Sequence, residues 1–137
     1  MIVLDASAAL ELLLGTPKGR TIADLIRNPE TSLHAPHLLD IEVAQVLRRL
    51  VRQRELSSSS AAAALQDLAD LDLERHGHVA HLARIWDLRD NLTAYDAVYV
   101  ALAEALDATL LTCDRAMGSA AHHRARVHTL SDEPPDP

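Results

Sequence analysis

Thr109-Leu110-Leu111-Thr112-Cys113-Asp114 and Ile2-Val3-Leu4-Asp5 share one plan: a short apolar run with an aspartate at or just beyond its end. Runs this short and this apolar fit strands buried on both faces. Working outward, the sequence predicts further strands over 32–35, closed by Pro36, over 71–73 and over 126–130. Helices are predicted over 8–14, 16–28, 37–54, 57–71, 77–89 and 93–106. Ser7 is the expected cap of the first and Gly15 its stop. The helix over 37–54 carries the apolar stripe Leu39, Val43, Val46, Leu47 and Leu50. Strands alternating with helices predict an α/β fold, with a mainly parallel sheet covered on both faces. Ligands in such sheets bind beyond the carboxyl ends of the strands, where the strand order reverses. Asp5 and Asp114 both fall at that edge.

Composition narrows the function. The chain has 137 residues, with 20 acidic side chains against 13 basic ones and a formal net charge of -7. Its 48% apolar and 24% charged content is that of a globular domain. No internal repeat or linker divides it, so a single domain is expected over residues 1–130. The acidic, proline-rich residues 131–137 are expected to fray. No run nears the roughly 18 apolar residues of a membrane helix, and the N-terminus lacks the pattern of a signal peptide. Cys113 is the one cysteine, which rules out an intrachain disulfide and a cysteine-cluster zinc site. A cytoplasmic location is the expectation. Aromatics are Trp86, Tyr95 and Tyr99 alone, too few to stack several single-stranded bases. The acidic balance argues against a broad electrostatic nucleic-acid binder, but not against an enzyme that meets phosphates through a metal.

Two more acids join the pair at the sheet edge. Glu42 flanks the apolar stripe of its helix, and Asp96 lies in the first turn of the helix over 93–106. Four carboxylates at one edge repel one another and raise some of their pKa values. A divalent cation removes that repulsion, and carboxylates with water suit Mg²⁺ or Mn²⁺. Such a site can hydrolyse phosphodiesters. Each acid also has an ordinary structural reading. Asp5 and Asp114 can cap helices, Asp96 completes a capping box with Thr93, and Glu42 suits the positive end of a helix. Spacing alone does not choose between these readings.

The residues around the acids carry a resemblance. Ile2-Val3-Leu4-Asp5-Ala6-Ser7, Ile41-Glu42-Val43-Ala44-Gln45-Val46-Leu47-Arg48-Arg49, Leu92-Thr93-Ala94-Tyr95-Asp96-Ala97-Val98-Tyr99-Val100-Ala101-Leu102-Ala103 and Leu110-Leu111-Thr112-Cys113-Asp114 resemble, in order, the motifs of PIN-domain ribonucleases. The size resembles that of VapC-type toxins of bacterial toxin–antitoxin pairs. The resemblance implies a three-layer α/β/α sandwich and Mg²⁺- or Mn²⁺-dependent cleavage of RNA. It places Asp5, Glu42, Asp96 and Asp114 in the metal-binding catalytic site. Ser7 and Thr112 are implied to orient Asp5 or a water, with Thr93 a weaker candidate. The family further implies homodimers and a VapB-like antitoxin whose C-terminal segment blocks the site, often with an Arg. Gln45 departs from the family pattern, in which Asn commonly stands three residues after the second acid.

Other residues carry weaker signals. His76, His78 and His81 are expected as surface imidazoles, and His122 and His123 likewise. Cys113 is expected as a buried strand residue and not a nucleophile. Arg48, Arg49, Arg52 and Arg54 fit either an RNA-steering face or a solvated helix face. Arg115 and Arg89, beside the acidic motifs, are better placed for phosphate. Two other functions compete with cleavage of RNA. One is a catalytically silent module that binds RNA or protein. The other is a haloacid-dehalogenase-like phosphatase, against which Ser7 stands where a second Asp is usual.

Overall fold

The two apolar runs become the centre of a sheet. Ile2–Leu4 forms β1 and Thr109–Thr112 forms β4, paired in parallel. A computed structural model describes residues 1–120 and 122–132. Leu33–Pro36 (β2) pairs with β1, and Leu73–His76 (β3) pairs with β2. Arg126–Thr129 (β5) pairs with β4. All pairings are parallel, in the order β3-β2-β1-β4-β5. The chain builds outward from β1 to β3, then returns to place β4 on the other side of β1. The strand order therefore reverses between β1 and β4, which puts the crevice of an open parallel sheet there.

The helices are Ala6–Leu14 (α1), Pro17–Leu25 (α2), Leu38–Arg52 (α3), Ser58–Asp70 (α4), Leu82–Asp87 (α5), Ala94–Leu106 (α6) and Arg115–Ser119 (α7). Val3, Leu4, Leu110 and Leu111 of the central strands are buried, as their uninterrupted apolarity requires. α3 buries Leu39, Val43 and Leu47 as a stripe. α6 is buried continuously from Ala97 to Ala103, a run in which Tyr99 is the one polar side chain.

Asp5, not Ser7, caps α1: its extended backbone lets the carboxylate accept from Ala8 N at 2.9 Å. At the other end Gly15 takes a left-handed conformation (φ 64°), and its N–H turns back to the last turn. Thr16 then caps α2. A Cβ on Gly19 would stand 1.9 Å from the Glu11 carbonyl oxygen, so only glycine lets α2 fold back this closely on α1.

β3 lies later than the predicted strand over 71–73, and the predicted helix over 77–89 divides. A single 3₁₀ turn at Val79–His81 precedes the short α5. The Glu-Arg-His composition of β3 hides it from a search for apolar runs, but suits an edge strand. Arg75 secures it, donating to both Asp40 carboxylate oxygens at 2.8 and 3.0 Å and to Leu68 O at 3.0 Å. Of the expected frayed tail, residues 133–137 lie outside the described residues. Asp132, just before them, pairs with Lys18 at 2.8 Å.

Candidate active site

β1 and β4 end together, and their carboxyl ends are tied by one polar network. Asp5 N donates to Leu111 O at 3.2 Å, the last link of the central ladder. The Asp5 side chain is 3% exposed and accepts on both oxygens. Oδ1 takes the Ser7 hydroxyl at 2.7 Å and Ala8 N, and Oδ2 takes the Thr112 hydroxyl at 2.5 Å. Each hydroxyl is held in turn by the chain leaving β4. Cys113 N donates to Ser7 Oγ and Asp114 N to Thr112 Oγ1, both at 2.9 Å. Ser7 and Thr112 each have one hydrogen to give, and each gives it to Asp5. The carboxylate is thus fixed as an acceptor between two relays from a neighbouring strand end.

The other three acids come from different elements. Asp114 caps α7 through Ala116 N at 2.8 Å, which leaves its second oxygen free. Glu42, in the second turn of α3, accepts the Tyr99 phenol at 2.5 Å. Asp96 stands in the first turn of α6, where Thr93 accepts from its N–H at 3.2 Å. All three are partly exposed. Like-charge repulsion links the four in a ring: Asp114 acts on Asp5 and on Asp96, and Asp5 and Asp96 both act on Glu42. Burial is the larger cause, and it pushes Asp5, Glu42 and Asp96 above the usual carboxylate range. Hydrogen bonds from Thr112, Ala8 and Ser7 to Asp5, and from Tyr99 to Glu42, pull the other way.

Among the described residues, none of the four acids pairs with a Lys, Arg or His. An all-oxygen donor set that keeps free lone pairs and has no protein cation beside it fits a hard divalent ion. The family model for the PIN domain matches residues 2–122. The chain belongs to the PIN-domain family. A VapC ribonuclease of Mycobacterium bovis is 46% identical over 114 residues, covering 83% of this chain and 86% of the relative. VapC20 of Mycobacterium tuberculosis, a sarcin–ricin-loop-cleaving toxin, superposes at TM-score 0.67 and 16% identity over 92% of this chain and 99% of that one. VapBC2 from Rickettsia felis, bound to a fragment of promoter DNA, gives 0.70 at 13% over 95% and 99%.

In this PIN domain an open groove of about 710 Å³ has Glu42, of the four acids, in its lining. Leu10 and Leu14 of α1 line one side, and Ile41, Val46 and Leu50 of α3 the other, with Ser7, Glu42 and Cys113 at the inner end. Burial pushes the Cys113 thiol up to about 11, away from the lowered values of reactive cysteines. Arg49 and Gln45 reach the groove, whereas Arg48 and Arg52 line a separate crevice between α3 and α4. The arginine cluster of α3 is therefore split between two faces. Arg115 is exposed at the start of α7. Arg89 lies over the Trp86 ring, 4.8 Å from its centroid, and donates to Trp86 O. Tyr99 is a site residue that the sequence analysis does not single out, since it lies within the buried run of α6. Its position one turn after Asp96 is the signal that brings its hydroxyl to the same end of the helix.

Proposed function

We propose that this chain is the toxin of a toxin–antitoxin pair, a metal-dependent endoribonuclease with Asp5, Glu42, Asp96 and Asp114 as its metal-binding catalytic set. One observation carries the reading: four carboxylates share the strand-order switch with no cationic side chain beside them among the described residues. The 46% identity to a VapC ribonuclease over most of both chains supports it.

Each residue has a part set by its surroundings. Asp5, immobilised by Ser7 and Thr112, is the fixed ligand against which the site is assembled. Glu42 is steered by the Tyr99 phenol, which occupies one oxygen and leaves the other for the ion. Asp96 and Asp114, at the starts of α6 and α7, complete the ring with backbones anchored by caps. These four carboxylates would hold Mg²⁺ or Mn²⁺, which when bound would offer positive charge to the phosphodiester and lower the pKa of a water. Water as the nucleophile gives products with a 5′-phosphate and a 3′-hydroxyl. Arg115 is exposed on the same side and is the candidate for steering the RNA backbone.

The apolar groove between α1 and α3 suits a segment of the antitoxin, a VapB-like protein. An Arg of that segment would meet Glu42 in the groove wall. The active protein is a cytoplasmic homodimer whose catalytic domain spans residues 1–130. The deciding experiment mixes purified protein with total RNA and maps the cut ends. Cleavage in Mn²⁺ or Mg²⁺, abolished by EDTA and by Asp96→Asn, is the expected result. Equal cleavage by the Asp96→Asn protein overturns the assignment.

A further inference from the structure

Three side chains outside the acidic site converge on one face of the sheet. Parallel register sets His34 of β2 opposite Glu74 of β3, and Pro36 opposite His76. Alternation along the strands puts His34, Glu74 and His76 on the same face, opposite Arg75, which turns toward α3 and α4. His34 Nδ1 and His76 Nε2 stand 3.0 Å apart. Glu74 Oε2 is 3.5 Å from His34 Nδ1, and Glu74 Oε1 is 3.8 Å from His76 Nε2. One ligand atom from each residue lies within 4.8 Å of the others. Two nitrogens bound tetrahedrally at about 2.0–2.1 Å lie about 3.3 Å from each other, so the 3.0 Å pair need open by only a few tenths of an ångström to hold an ion.

The surroundings of His34 suit a ligand. Its Nε2 engages the Ser32 hydroxyl at 2.9 Å, which fixes the ring and turns Nδ1 toward the other two residues. The residue is 5% exposed, and burial pushes its pKa below the ordinary value, so the ring is neutral and binds metal without first losing a proton. The Glu74 side chain is 67% exposed and opens the cluster to solvent. Two imidazoles with one carboxylate match zinc-like ions; Mg²⁺ prefers an all-oxygen shell.

We propose that His34 Nδ1, His76 Nε2 and the Glu74 carboxylate bind a divalent transition metal of the zinc class, clipping the edge strand β3 to β2. Three protein ligands leave one coordination position for water. The site shares no residue with the four acids, so it stands or falls independently of the ribonuclease reading.

The test uses the full chain, stripped of metal with a chelator and then dialysed free of it. Zn²⁺ alone is titrated by calorimetry, and Co²⁺ serves as a visible-absorption probe. An Asp5→Asn/Asp96→Asn background removes the acidic site from the measurement. One Zn²⁺ per chain, a rise of several degrees in Tm and visible Co²⁺ bands are expected in that background. His76→Gln or Glu74→Gln, added to it, lowers Zn²⁺ affinity at least about tenfold and removes the Co²⁺ bands. Glu74 is solvent-facing on an edge strand, so its variant keeps the test readable if His76→Gln fails to fold. No Zn²⁺ uptake in the background protein, or unchanged uptake in the Glu74→Gln protein, overturns the proposal.

Discussion

Neighbouring strands bring ionisable side chains together at two places in this molecule, and they do so in opposite ways. At the β1/β4 switch, carboxylates gather past the strand ends, and those of Asp5, Glu42 and Asp114 accept from hydroxyls, a phenol or backbone N–H groups. Hydrogen bonds serve their lone pairs, but among the described residues no cationic side chain balances their charge. At the β2/β3 edge, two imidazoles lie against each other inside the ladder, with a carboxylate at the rim. The two ring nitrogens face each other at 3.0 Å within hydrogen-bond reach, and burial favours the neutral form of His34. The first arrangement suits an outside cation through charge, and the second suits one through its donor atoms. The difference follows from position. Strand ends face an open crevice where charge can meet a ligand, whereas ladder interiors tolerate groups that are able to become neutral.

The largest expected effect separates the two sites by activity. Asp5→Asn or Asp96→Asn removes a carboxylate of the proposed metal-binding set and is expected to lower cleavage by about 10³-fold or more, a loss on the scale of one preorganised electrostatic group. His76→Gln leaves the cleavage rate within about twofold. A cleavage assay on one RNA with all three proteins checks both, and a large loss in His76→Gln would merge the two sites.

Arg75→Ala tests what holds the second cluster in place. The change removes a bidentate pair with Asp40 and a bond to Leu68 O, which join β3 to α3 and α4. A cost of about 1–3 kcal/mol is expected in urea unfolding, discounted for the partial exposure of the pair. An unchanged midpoint would mean that backbone pairing alone secures β3.

Tyr99→Phe sharpens the first site. The phenol donates to Glu42 and thereby lowers its pKa against the effect of burial. Without it Glu42 holds its proton to higher pH, so the acid limb of the pH–rate profile moves upward. Cleavage near neutral pH falls several-fold, and stability falls by about 1 kcal/mol. An identical acid limb in the variant would remove Tyr99 from the site.

The smallest effect is on metal-free stability. Asp5, Glu42 and Asp96 all titrate above the usual carboxylate range in the fold. The unfolded chain loses these protons first, near pH 4. Between that pH and the raised folded values the native state holds more protons, so this contribution to stability falls as pH rises. Asp96→Asn removes one share of the penalty. Its Tm without metal is expected to exceed that of the parent by a few degrees at pH 7, with the gap closing toward pH 4. A gap that widens on acidification contradicts the sign.

Much of the first site was legible because its residues sit at landmarks that a sequence displays. Asp5 ends an apolar run, Asp114 follows one, and Asp96 opens a long helix behind Thr93. The expected cap at Ser7 moved to Asp5, since a carboxylate that ends a strand also reaches the N–H groups of the next turn. β3 was placed too early because an edge strand need not be apolar, and Glu74-Arg75-His76 hides its period. His76 was read with His78 and His81, its neighbours along the chain. Its partner is His34, 42 positions away.

Sequence alone determined which segments had to be buried, and that strands and helices alternate. Apolar runs and capping residues act locally, over a few bonds, and declare themselves in a linear string. Tertiary structure alone decided that β4 returns beside β1, that Tyr99 reaches Glu42, and that β3 lays His76 against His34. Those outcomes depend on strand order and register, which set distances between residues far apart in the chain and leave no local mark.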